Sequence, residues 1–206
     1  DSITATVEPT FRYLAINDLP ERTELVSVTP VTVTGSASAG IERSLGSRTL
    51  PGQHLIMGSA LRITALGYYS TAPSAPGTLR LRVKWGNEVL ADSGAQTMTA
   101  GLTNLFWRLE ALTNVRTTSS MMTVGMFTIL PSATPATPAI WMLTNPTDGR
   151  LPVSVDTTVA TSLNLTAEWS LGSAANVLVV TNLVIEVLHN QVRRDGGVPD
   201  ITPGDG

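Results

Sequence analysis

Between residues 78 and 86 the chain reads Thr-Leu-Arg-Leu-Arg-Val-Lys-Trp-Gly, and its apolar side chains fall on every second position. Leu79, Leu81, Val83 and Trp85 share one parity; Thr78, Arg80, Arg82 and Lys84 share the other. A period of two is the mark of a strand with one face in a core and the other in water, and a helix would scatter the same residues around its circumference. Pro73-Ser74-Ala75-Pro76-Gly77 precedes it and Gly86-Asn87 follows it, so both ends are turns. Gly86-Asn87 suits a tight hairpin to a short partner strand at 88–91. A strand with one oily face needs a second layer to cover that face, which limits the chain to sheet-on-sheet or sheet-on-helix architectures.

The remaining sequence supplies more strands and no convincing amphipathic helix. Residues 24–34 read as one strand, and Pro30 places it at a sheet edge or at a bulge. The small residues of 35–40 make a loop. Short strands are expected at 41–45 and 53–57, separated by a turn at Leu50-Pro51-Gly52, and a longer strand at 60–68. Residues 104–112 alternate, with Leu105, Trp107, Leu109 and Ala111 inward. Residues 121–130 are apolar on both parities, the pattern of a strand covered on both faces. Residues 140–143 form a short strand, 162–169 alternate as cleanly as 78–86, and 177–188 are a long β-branched run. With turns of Gly, Pro and Ser between them, these segments predict an all-β fold: a two-sheet antiparallel sandwich, jelly-roll-like, with an extended N-terminal arm. An immunoglobulin-like stack is the simpler alternative. It needs only about 100 residues, and no composition break divides this 206-residue chain into two such units.

The domain boundaries follow from where periodicity starts and stops. Residues 1–23 form the arm, without period and interrupted by Pro9 and Pro20, yet holding Phe11, Tyr13, Leu14, Ile16 and Leu19. Those apolar side chains either pack back on their own domain or reach a neighbouring subunit. Residues 24–190 form the sandwich, and 191–206, rich in Gly, Pro and Asp, form a tail with no means to pack.

Composition narrows the function. Only 14% of the residues are charged, against about 25% in an ordinary soluble domain, so the surface either covers itself with Thr, Ser and Ala or, the reading favoured here, lies in large part against other subunits. A net charge of −3 and a pI near 5.3 argue against direct nucleic-acid binding, which calls for a basic face. The chain has no cysteine, hence no disulfide framework and no thiolate site. No apolar run nears the roughly 18 residues of a membrane helix, and Asp1-Ser2-Ile3-Thr4 does not resemble a signal peptide. No membrane association is therefore expected.

Catalytic patterns are missing. His54 and His189 are the two histidines, each among strand residues and read as structural. Nucleophile-elbow, zinc-protease, phosphate-loop and calcium-loop spacings do not occur, so neither an enzyme nor a cofactor or metal is expected. Glu110, Glu168 and Glu186 fall on outward parities, where two of them meeting across a ladder would make a glycosidase-like pair. The better-supported reading is a salt-bridged sheet face, since Arg80, Arg82, Lys84 and Arg108 also point outward. Trp85, Trp107 and Trp169 lie on inward parities and are assigned to the core. Tyr68-Tyr69, at the end of a strand, is the best candidate for a receptor contact or else a cap on the core. Asn164-Leu165-Thr166 fits the glycan acceptor pattern but sits inside a strand and is discounted.

Residues 59–71 (Ser-Ala-Leu-Arg-Ile-Thr-Ala-Leu-Gly-Tyr-Tyr-Ser-Thr) lead through a small-residue loop to Pro76-Gly77 and the strand of alternating leucines closed by Gly86. This resembles a module of virion structural proteins of tailed bacteriophages, with Asn104-Leu105-Phe106-Trp107-Arg108-Leu109 and the segment from Leu163 to Ser170 similar to its later strands. The likeness spans residues 45–188. It implies a β-sandwich virion component of the capsid decoration (cement) or tail-associated type, often trimeric, and it carries over no binding residue. Together with the low charge, it sets the expectation: a non-enzymatic capsid decoration protein on the capsid surface, a homotrimer contacting the major capsid protein or other virion proteins. Its partner-binding residues are Phe11, Tyr13, Leu14 and Ile16. The alternative is a tail or fibre protein that binds a carbohydrate receptor.

Overall fold

In the computed structural model, residues 22–132, 137–146 and 152–188 are described. The arm lies outside them except for Arg22 and Thr23, as do the tail and His189. The alternating segment forms β5 (Thr78–Trp85), and its burial alternates without a fault. Leu79, Leu81, Val83 and Trp85 are all buried. Its hydrogen-bonding edges are filled by β6 (Glu88–Asp92) on one side, across the Gly86-Asn87 turn, and β12 (Thr161–Trp169) on the other. Gly86 takes the left-handed conformation, φ 58°, that such a turn requires.

The remaining strands are β1 (Arg22–Ser27), β2 (Val31–Thr34), β3 (Arg43–Leu50), β4 (Ala60–Ser70), β7 (Gln96–Thr97), β8 (Leu105–Thr117), β9 (Ser120–Ile129), β10 (Ala139–Leu143), β11 (Val153–Ser154) and β13 (Val177–Leu188). One helical turn, α1 (Gly35–Ser38), interrupts them. They form two sheets. The larger runs β1-β13-β4-β8-β9-β10, with β2 on β13 and β11 on β9; the smaller runs β3-β12-β5-β6, with β7 on β5. Every ladder is antiparallel. The pairs β1·β13, β3·β12, β4·β8 and β5·β6 are nested one inside another along the chain and assigned alternately to the two sheets. That is the jelly roll, two Greek keys folded from one long hairpin. β9 and β10 are additional to it: they continue past β8 and widen the larger sheet.

The core fills the space between the sheets. Trp107, Trp169, Tyr69 and Phe127 are its largest fully buried side chains. Phe127 meets Trp107 edge-on at 6.1 Å between ring centroids and lies 5.3 Å from Trp141. The indole of Trp107 donates to the Val179 carbonyl at 3.0 Å and that of Trp85 to the Asp156 carbonyl at 3.0 Å. Asn176 is fully buried and pins the loop before β5, donating to the Pro76 carbonyl at 2.8 Å and accepting from the Ala72 N–H at 2.9 Å.

Five segments differ from the reading of the sequence. Residues 24–34 are two strands, because Pro30 sits in the connection between β1 and β2 and breaks the run. The loop at 35–40 contains α1. Residues 53–57 form turns, with Gln53 at φ 61°: Leu55 is buried, but Ile56 and Met57 face water, so the apolar run was no strand. Its predecessor, expected at 41–45, is instead β3 at Arg43–Leu50, an edge strand whose burial does not alternate and whose register with β12 shifts between Ser44 and Gly46, leaving Leu45 at the bulge. The fifth is β9, expected to be covered on both faces: Val124 and Met126 are exposed on its outer face.

Candidate functional site

The outer face of the smaller sheet carries the basic stripe of β5, and acids meet every member of it. Arg80 Nε donates to both carboxylate oxygens of Asp92 at 2.9 Å. Arg82 reaches Asp92 at 3.1 Å, Glu42 at 2.6 Å and Glu168 at 2.8 Å. Lys84 donates to Glu42 at 2.8 Å. Burial opposes ionisation of Asp92, but hydrogen bonds from Arg80, the Gly94 N–H and Arg82 outweigh it and hold the carboxyl below the usual range. Glu42 is likewise held low: burial works against the charge, and Lys84 and Arg82 prevail. Glu42 comes from the segment between α1 and β3, where no periodicity marks it, and Asp92 from the end of β6. The stripe is thus neutralised in place, and phosphate or an acidic partner would have to displace three carboxylates to use it.

The carboxylate pair is overturned. Glu168 lies on β12 in the smaller sheet, whereas Glu110 on β8 and Glu186 on β13 lie in the larger one. β4 stands between β8 and β13, so Glu110 and Glu186 do not meet across a ladder either. Each glutamate is instead paired with an arginine: Glu168 with Arg82, Glu186 with Arg62 at 3.4 Å, and Glu110 with Arg108. His54 is structural. Its Nε2 lies 2.9 Å from Glu24, a carboxylate that also pairs with Arg48 of β3 at 3.5 Å and so ties β1 in one sheet to β3 in the other. Trp85, Trp107 and Trp169 are buried as expected. Tyr69 caps the core, donating its hydroxyl to the Leu130 carbonyl at 2.5 Å, and burial pushes the phenol up to about 12. Tyr68 faces outward. Asn164 accepts from the Ser44 hydroxyl at 2.7 Å within the β3–β12 ladder. Phe11, Tyr13, Leu14 and Ile16 lie outside the described residues.

The outer face of the larger sheet is different in kind. The ladder registers place Val26, Val184, Thr64, Glu110, Met126 and Met142 in one row across it. Beside that row, Leu112 faces Val124; on its other side Leu66, Arg108, Thr128 and Ile140 follow one another, and beyond them Tyr68 faces Phe106. Phe106 is 46% exposed, Met126 43%, Ile140 57% and Met142 59%. The charges among them, Arg62 with Glu186 and Arg108 with Glu110, are paired within the face. A depression of about 380 Å³, with Leu112, Val124, Met126 and Met142 among its walls, opens on the same face. The sequence marked these residues only as apolar on both parities, a signal that does not say what covers the second face.

Among the described residues, no group of three or more His, Cys, Asp or Glu is placed to hold a metal ion, and no helix is long and apolar enough to cross a membrane.

The chain matches no protein-family model, and no curated protein is significantly similar to it in sequence. Among solved structures it is similar to the CBM2 module of the evolved Dit of Lactobacillus casei BL23 phage J-1. The two share 9% identity at a TM-score of 0.33, over 68% of this chain and 67% of that one. So remote a likeness carries no argument about function.

Proposed function

We propose that this protein is a non-enzymatic structural component of a phage particle, a capsid decoration protein that works by burying surface. It assembles as a symmetric homotrimer on the capsid surface, against the major capsid protein or other virion proteins. Phe11, Tyr13, Leu14 and Ile16 serve as its anchors. The observation that carries this reading is the apolar face of the larger sheet, uncovered among the described residues, in a chain of which only 14% of residues are charged. Apolar surface of this extent marks a site of association. The self-neutralised face of the smaller sheet offers no comparable surface to a charged ligand.

Deleting residues 1–21, which stops short of β1, is expected to leave a folded domain with a cooperative melt while its retention on particles collapses. Truncated protein that stays on particles as firmly as the intact chain refutes the anchoring role. Density in cryo-microscopy of intact virions that lies at the tail in place of the shell refutes the decoration role.

A second reading, a tail protein that binds a carbohydrate receptor, rests on Tyr68 and Phe106. They are cross-strand partners, both exposed, and two adjacent rings on a sheet face suit sugar stacking. Glycan-array binding lost in Tyr68→Ala would favour it.

A further inference from the structure

We infer that the outer face of the larger sheet, centred on the β9–β10 extension, is the surface through which copies of this chain contact one another. The inference deepens the proposed assembly role and rests on it in one respect, that the protein is an oligomer.

The first argument is one of area. Val26, Tyr68, Phe106, Leu112, Val124 and Met126, with Ile140 and Met142, are all large apolar residues left more than a third exposed on this face. Leaving aside Val26 at the far edge of the sheet, they leave on the order of 600 Å² in water, at the upper end of the largest patch of a typical monomer and about three-quarters of the roughly 800 Å² that each partner brings to a standard interface. The second argument is topological. The jelly roll closes its own core with β8 as the last strand of its larger sheet, so β9 and β10 are not needed to complete it. Their inward side chains Phe127, Ile129 and Leu143 join the core, while their outward ones, Val124, Met126, Ile140 and Met142, have nothing above them among the described residues. A strand pair added for the fold alone would carry polar residues outward.

The third argument is electrostatic, and it selects a second copy as the occupant. At the middle of the face Arg62 and Arg108 are already paired with glutamates of the same face, and the third exposed arginine, Arg116, lies away at the end of β8, so the middle has no net charge to match against a charged partner. Identical neutral faces bring no unbalanced charge together when they meet. Two such faces pack directly against each other; three turned toward a common axis enclose an apolar centre. Methionines at the middle of the contact, Met126 and Met142, adapt their shape to a neighbour at low cost.

The experiment is sedimentation equilibrium on the full chain beside the double variant Met126→Lys/Met142→Lys and the control Val159→Lys, an exposed apolar residue elsewhere. The intact protein should sediment at a multiple of 21.7 kDa, three times for the trimer. The double variant should dissociate at least about thirtyfold more readily, with circular dichroism and melting unchanged, and the control should behave as the intact chain. Because the chain has no cysteine, Met126→Cys and Met142→Cys, made singly, provide a second readout: at least one should link chains through a short bifunctional thiol reagent. An intact protein that is monomeric at all concentrations removes the oligomer itself. An oligomer that survives the double substitution and resists both cross-links removes only this surface. A monomer that gains apolar-dye binding on deletion of residues 1–21 assigns the face to the chain's own arm, and the inference falls.

Discussion

Two buried tryptophans show how one side chain's polar atom sets its contribution. Trp107 and Trp169 are both fully buried, but only the first has its indole N–H satisfied, by the Val179 carbonyl. The N–H of Trp169 has no hydrogen-bond partner among the described residues. Replacing either by Phe removes ring volume from the core, and replacing Trp107 also breaks a buried hydrogen bond. The substitution Trp107→Phe should therefore cost about 1 kcal/mol more than Trp169→Phe in urea denaturation. Equal losses would mean that the Val179 contact contributes nothing. The same logic governs Tyr69, whose hydroxyl ends at the Leu130 carbonyl in place of water.

At the scale of elements, the larger sheet bends where strands come too close for a side chain. The register between β13 and β4 shifts between Val180 and Asn182, and Gly67 of β4 lies opposite this bulge. A Cβ on Gly67 would fall 1.9 Å from the Val179 carbonyl oxygen, backbone that has no rotamer by which to give way. Relief requires β4 and β13 to separate, and these two strands hold the middle of the sheet. Gly67→Ala should lower stability by at least about 2 kcal/mol, measured as a urea midpoint shift. A shift under about 0.5 kcal/mol would show the bulge to be adjustable. Edges are handled differently: Pro30 ends β1, and the buried Glu24 with Arg48 and His54 fastens that edge strand to the opposite sheet.

For the molecule as a whole, the outer faces of the two sheets divide the work. The smaller sheet closes itself with an ion-pair cluster, and this gives stability a pH dependence of known sign. Asp92 and Glu42 titrate lower in the folded protein than in the unfolded chain. Their stabilisation is therefore complete above the unfolded carboxyl value, about pH 4, and is lost as pH falls through the lower folded values. The urea midpoint should drop below about pH 4. In Asp92→Asn it should be lower at neutral pH and fall less on acidification. An identical acid limb in the variant would remove Asp92 from the account. Among the described residues the larger sheet leaves its apolar face uncovered, and the proposed assembly role rests on that asymmetry.

The sequence alone determined the class of fold and the core. Strict alternation in residues 78–86, 104–112 and 162–169 names the buried side chains one by one, because a strand turns successive residues to opposite faces wherever it lies. Trp85, Trp107 and Trp169 were legible for that reason, and so was the hairpin at Gly86-Asn87. Only the tertiary structure decided which strands are neighbours. Ladder partners lie far apart in the chain, β3 with β12 or β1 with β13, and no local pattern encodes that pairing. Glu110 and Glu186 were thereby separated by β4, Glu168 was sent to the other sheet, and Glu42 and Asp92 were brought to the β5 arginines. The same holds for β9. An outward row of Val124 and Met126 looks alike in sequence whether the chain covers it or leaves it open, because hydrophobicity records the need for cover, and only the arrangement of layers shows whether it has been met.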